Sequence, residues 1–325
     1  MKKYLFLFFT FLFCKTLQGQ TSIDTFLVSG IYKLRATITL PDLQSSKKFP
    51  AVILLAGSGL ADKDGAYKMP NKTMKDLAEG LSREGLACIR FEKRTLAYRE
   101  EIMKNYEKIT IEQEYHEDTK NAIDLISGLK QVDKNNIWIV GHSLGATLAP
   151  SIAFQNIQNV KGIVMMAGTM RKFEDLIMEQ YEYIYSLDTT QKALKNEMIA
   201  MKQKVKNVKM ITTESSFSTQ ELPLYLPQSY WLSLAKNAPD LFLAKMNKPI
   251  LVLQGERDYK VTMQDFLEMK SFLGNKAHFV SYPTLNHIFL EGKLKKSVPL
   301  EEFVPSQIPN YVFKDIADFI FSMKK

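Results

Sequence analysis

Six short, largely apolar runs constrain this chain more than any other feature: AVILLAG (51–57), LACIRFE (86–92), IWIVGHS (137–143), GIVMMAG (162–168), PILVLQG (249–255) and HFVSYP (278–283). A strand with one wet face alternates apolar and polar residues, so continuous runs indicate strands covered on both faces, as in a parallel sheet. Ahead of them, SIDTFLVSG and YKLRATITLP do alternate around Ser29-Gly30, which predicts a half-exposed antiparallel hairpin.

Helical patterns fill the gaps. TIEQEYHEDTKNAIDLISGLK opens with Thr110 and Gln113 in capping-box spacing and puts Ile111, Tyr115, Ala122, Ile126 and Leu129 on one face. KTMKDLAEGLSREG closes on Gly85 as a C-terminal cap, and YVFKDIADFIFSMKK reads as a final amphipathic helix. The fold class is therefore α/β, a mostly parallel doubly wound sheet with an N-terminal antiparallel hairpin. About eighty residues lie between Gly168 and Pro249, far more than an ordinary connection needs. They hold Lys-rich helical stretches, which predicts a helical cap at 171–240 inserted into a core of 20–170 and 241–325.

The chain starts MKKYLFLFFTFLFCKTLQGQTS: two lysines, then an apolar run too short to span a bilayer, stopped by Lys15. Residues 1–19 read as a secretory signal with Gly19 at the cleavage point, although Leu17 is large for its place. Lipid attachment at Cys14 is disfavoured by the bulky Leu12 and Phe13 before it. The expectation is export to the periplasm or medium, with no stable membrane insertion after cleavage. Losing Lys2, Lys3 and Lys15 takes the net charge from +8 to +5, and no basic stripe with interleaved aromatics suggests nucleic acid. Cys88 would then be the one remaining cysteine, in an apolar run that predicts a buried, inert thiol.

Gly141-His142-Ser143-Leu144-Gly145 fits G-x-S-x-G, between a predicted strand and a predicted helix, where a strained turn would project the Ser143 hydroxyl beyond the sheet. Such a hydroxyl needs a base. Of four histidines, His142 adjoins the nucleophile and is expected to point elsewhere, His116 lies on a helix among carboxylates, and His278 opens a strand. His287, in the loop after the last strand, remains. To fix the imidazole, GERDYK offers Glu256 and Asp258 just past the penultimate strand; Asp258 is the choice and Glu256 stays open.

Oxyanion donors are expected from the backbone N–H of Leu144 and from the loop AGSGLADKDG, where Ser58 is the choice and Gly59 and Leu60 are alternatives. Gly57, Gly59, Leu60, Tyr230 and Trp231 are candidates for the substrate pocket; Tyr225, Tyr230 and Trp231 serve equally well as a lid or as glue between cap and sheet. Asp62 and Asp64 start like a calcium loop but lack the later ligands, so they read as loop-stabilising carboxylates. Glu92, Lys93 and Arg94 read as structural ion pairs rather than a receptor for a charged substrate. No metal and no cofactor is called for.

With these segments in view, the chain resembles the α/β-hydrolase superfamily, and within it bacterial carboxylesterases of the EstD type, related to the serine aminopeptidase and dienelactone hydrolase branches. The resemblance rests on LLAGSGLADKDG, LAEGLSREGLACIRFEKRT, IVGHSLGATLAP, YWLSL, PILVLQGERDYKVT and SYPTLNHIF, and thins between 171 and 220. It implies an α/β-hydrolase fold, a Ser143, Asp258, His287 triad, and hydrolysis of short or small acyl esters as small-molecule substrates. Two departures stand out: Ala56 replaces the histidine of the common H-G oxyanion motif, and Leu144 follows the serine. A serine peptidase or amidase is the alternative, and an inactive surface binding protein a more distant one.

Overall fold

A computed structural model describes residues 19–65 and 67–323; the secretory-signal expectation falls almost wholly outside them. Eight strands form one sheet: β1 (Thr21–Ser29), β2 (Tyr32–Leu40), β3 (Phe49–Leu55), β4 (Ala87–Phe91), β5 (Val132–His142), β6 (Val160–Met166), β7 (Ile250–Gly255) and β8 (His278–Tyr282). Their spatial order is β1-β2-β4-β3-β5-β6-β7-β8. The β1–β2 hairpin is antiparallel and joins β4 antiparallel; every pair from β4 to β8 is parallel. The helices are α1 (Thr73–Arg83), α2 (Arg94–Ala97), α3 (Arg99–Lys104), α4 (Asp118–Ser127), α5 (Leu144–Gln155), α6 (Phe173–Leu187), α7 (Lys192–Lys209), α8 (Gln228–Lys236), α9 (Asp240–Leu243), α10 (Met263–Leu273) and α11 (Asn310–Ser322).

The continuous apolar runs are explained by burial on both sides. Side chains alternate across a strand, so Ala51, Ile53 and Leu55 of β3 and Ile137 and Ile139 of β5 enter one core, beneath α4, α5 and α10. Val52, Leu54, Trp138 and Val140 enter the other, beneath α1 and α11. α1 ends as the sequence predicts: Gly85 adopts φ +95°, its N–H donates to Ser82 O and the Leu86 N–H to Leu81 O, the paired closure of a Schellman cap. Thr110 and Gln113 cap each other's backbone N–H groups at 3.2 and 3.4 Å, opening a π-helical turn over Glu112–Glu117 that runs into α4.

The charges of the FEKR stretch lie within the fold. Glu92 holds Arg35 (2.8 Å), Lys93 holds Glu114 (3.5 Å), and Arg94 forks onto Asp118 (2.6 and 3.1 Å). Asp64 accepts from Arg90 at 3.1 Å, and Asp62 accepts the Asp64 N–H at 2.9 Å, so both carboxylates brace their own loop. Cys88 is buried, and burial pushes its thiol pKa well up.

The long connection between β6 and β7 holds α6 to α9. Its own small core contains Ile177, Met201, Val205, Leu222 and Trp231. At its entry, Arg171 makes a two-pronged bond to the buried Asp265 at the start of α10 (2.6 and 2.7 Å). α8, placed within the cap by its position in the chain, is bound to the core: Ser229 Oγ donates to Glu107 O, Ser233 Oγ accepts the Ile111 N–H, Tyr230 OH donates to Glu114, and Asn237 donates to Glu112.

Candidate active site

The chain steps from β3 out to β4, then crosses back to β5 on the far side of β3, so the connections leave β3 and β5 in opposite directions. Open α/β sheets bind ligands at the carboxyl ends of strands at such a reversal. The loop after β3 (residues 56–60) and the turn after β5 (Ser143) meet there.

Ser143 sits at φ 55°, ψ −122°, a sparsely populated conformation for a residue with a side chain. The flanking glycines are required by space. A Cβ on Gly141 would lie 2.3 Å from Gly145 O, and one on Gly145 would lie 2.5 Å from Leu55 O. Leu144 begins α5, so its N–H has no carbonyl of its own helix to bond. Gly57 faces the serine: a Cβ there would be 3.0 Å from Ser143 Cβ.

Asp258 and His287 meet from different loops. His287 Nδ1 is 2.7 Å from Asp258 Oδ2, and both side chains are buried. The remaining Asp258 lone pairs are taken by the N–H groups of Lys260 (2.7 Å) and Val261 (3.0 Å) and by Gln254 Nε2 (3.2 Å). Glu256 instead accepts from Ser281 Oγ at 2.8 Å. His116 bonds to Gln155 and Ser151 of α5. Ser143 and His287 line one cavity of about 290 Å³ together with Gly57, Ser58 and Leu60, and no hydrogen bond joins the two side chains among the described residues. Gly59, Leu60 and Tyr230 line a second cavity and Trp231 a third.

His142 turns onto the His287 loop, and its side-chain hydrogen bond goes to that loop. Its ring lies 4.8 Å from the His287 ring, tilted by 54°, and its Nε2 is 2.8 Å from His287 O. Burial, with the neighbouring His287 and Lys260 adding to it, holds the His142 pKa down to about 3 from the ordinary 6.5. The neutral ring therefore donates its Nε2–H to that carbonyl. Between pH 6.5 and 3 the unfolded chain takes up a proton that folded His142 refuses, so stability is full above this window and falls as pH drops through it, by up to about 1.4 kcal/mol per pH unit. His142→Gln, which keeps a donor, should show a smaller loss of urea midpoint between pH 7 and pH 4.5 than the parent. Equal losses would remove His142 from this role.

Two further contributors have no local sequence signal. Tyr115 OH donates to Gly57 O at 2.8 Å, and Lys93 Nζ donates to Gly59 O at 3.1 Å. By occupying these carbonyls they fix the orientation of the loop that carries the Ser58 N–H. Lys93 lies 4.5 Å from the centre of the Tyr115 ring and bonds to Glu114, which also accepts from Thr95 and Tyr230. No group of three or more His, Cys, Asp or Glu residues able to hold a metal occurs among the described residues.

Residues 111–227 match the family described as BAAT / acyl-CoA thioester hydrolase C terminal. The chain is 31% identical over 286 residues to Esterase EstD of Thermotoga maritima, covering 87% of this chain but 64% of that protein, so it spans less than two thirds of the relative's length. In structure it is similar to Est1E of Butyrivibrio proteoclasticus (TM-score 0.59, 15% identity, 92% of this chain and 98% of that one). It is similar also to a dienelactone hydrolase of Anabaena variabilis (TM-score 0.53, 14% identity, 93% and 98%). At such identities these two likenesses are of fold.

Proposed function

We propose that the chain, whose fold is that of the α/β-hydrolases, is a serine carboxylesterase working through an acyl-enzyme. The observation that carries this reading is the buried Asp258–His287 pair, 2.7 Å apart, opening on the same cavity as a serine held in a strained turn. Similarity to a named esterase over 87% of the chain supports it.

In the first half-reaction Ser143 Oγ attacks the ester carbonyl carbon while its proton passes to His287 Nε2. Asp258, on Nδ1, holds the ring in the tautomer that leaves Nε2 free and stabilises the imidazolium. The carbonyl oxygen takes the negative charge between the N–H groups of Leu144 and Ser58. Collapse of the tetrahedral adduct breaks the bond to the alkoxy oxygen, which leaves with the proton from His287. Water then attacks the acyl-serine with the same histidine as base, and the acid departs. The chemistry needs no metal or cofactor.

The test is a panel of p-nitrophenyl esters beside aminoacyl p-nitroanilides. Ester turnover that depends on Ser143 is expected; turnover of the anilides alone would replace the esterase reading with a peptidase. Export is the accompanying proposal, supported by the Lys2, Lys3 and apolar start of the chain.

A further inference from the structure

Three cavities converge on the elbow, of about 420, 470 and 290 Å³. The first touches Ser143 and Leu144 and runs beneath α6, α7 and α8, walled by Leu148, Met170, Val208, Trp231 and Leu234. The second opens past Ser58 and Leu144 toward α3, lined by Ile102, Met103 and Tyr106. The third holds Ser143 and His287 together, with the polar Gln180, Tyr181 and Lys260 around it. Among the described residues Phe173, at the start of α6, is the one common to all three, and its ring packs on Trp231 with centres 5.9 Å apart.

The chemistry assigns the halves of an ester to these spaces. His287 must hand a proton to the departing oxygen, so the alcohol half belongs in the cavity that contains His287. The acyl half then extends into the chamber that touches Ser143 without touching His287. Of the charged residues at that chamber, which also include Lys172 and Asp240, Arg171 is tied to Asp265 and Glu179, and Lys209 to Asp175. Burial pushes the Glu174 carboxyl toward its neutral form. The Trp231 indole N–H, in the chamber's wall, is buried without a partner among the described residues, an uncommon condition for a donor in a folded chain. The space is of the size that holds whole ligands, whereas an acetyl methyl takes up roughly the ~30 Å³ of one water molecule.

We propose that the chamber beneath α6–α8 is the acyl pocket, that it takes medium-length or aryl apolar acyl groups rather than acetyl, and that Phe173 is the partition limiting their width. This rests on the esterase reading and names its substrate class. Each methylene buried there should raise kcat/KM about threefold to fourfold.

The experiment compares p-nitrophenyl acetate, hexanoate and 2-naphthoate on the full chain, on Val208→Trp, which fills the chamber, on Phe173→Ala, which joins it to the space beside α3, and on the exposed Leu267→Ala as a surface control. The parent should prefer hexanoate over acetate by at least tenfold in kcat/KM. Val208→Trp should cut that ratio at least fivefold, and Phe173→Ala should raise naphthoate relative to hexanoate by a similar factor. Because each ratio is read on one sample, a partly unfolded variant does not disturb it. Ser143-dependent turnover of acetate with no preference for hexanoate, or ratios unmoved in both variants, would overturn the pocket and leave the esterase reading standing. Absence of Ser143-dependent ester turnover would overturn both.

Discussion

Ser143→Ala should lower kcat on any ester the protein cleaves by about 10⁴–10⁶-fold, while leaving the fold intact. The large effect follows from the nature of the step. On the proposed mechanism, without Oγ there is no atom to form the acyl-enzyme, and what would remain is water attacking a carbonyl bound between the Leu144 and Ser58 N–H groups. The same position carries a stability prediction of opposite character. A side chain at φ 55° stores strain of about 1–3 kcal/mol, which alanine retains and glycine relieves. Ser143→Gly should therefore melt at a higher temperature than Ser143→Ala, although both should lose activity alike. Kinetics with p-nitrophenyl esters and thermal unfolding of the two variants check both statements; activity surviving in either would move the nucleophile elsewhere.

The second large effect is expected at Asp258→Asn, on the order of 10⁴-fold in kcat. The Lys260 and Val261 N–H groups both donate to Oδ1, so they hold the amide oxygen of asparagine on their side and turn its NH₂ toward His287. That amide is a donor. It selects the tautomer with a bare Nδ1 and the proton on Nε2, the atom that accepts from Ser143 in the proposed mechanism. The bond from Gln254 Nε2 is lost as well, since two donors then face each other. Glu256→Gln, whose carboxylate meets Ser281 at the end of β8, should change kcat less than threefold. Equal losses at the two positions would mean that the wrong acid has been paired with His287.

The contrast between these two acids shows what a linear sequence discloses. Apolar runs, capping residues and the G-x-S-x-G turn are local patterns, and the strands, the close of α1 at Gly85 and the strained Ser143 all follow from them. Chain order also led to Asp258 and His287, because both lie just beyond strands at the same edge. Preference between Glu256 and Asp258 depended on which way each side chain leaves its loop, and only the folded register of β7 and β8 decides that. The destination of the His142 ring was illegible for a related reason: adjacency to Ser143 says that the ring turns away, and only the fold shows that the elbow rotates it onto the His287 loop. Lys93 precedes α2 whereas Glu114 and Tyr115 lie in the π-helical turn, and no local spacing announces that they meet beneath residues 57–59.

The way the inserted helices are tethered sets where they could be exchanged. Ser143, Asp258 and His287, the proposed reacting groups, all lie outside residues 171–240, so on this reading helices could be exchanged without rebuilding them. A graft is limited by its seams: Arg171 on Asp265 at one end, and the Ser229, Tyr230, Ser233 and Asn237 bonds of α8 at the other. A graft from Phe173 to Leu226 would therefore leave both seams in place and keep α8 with the sheet.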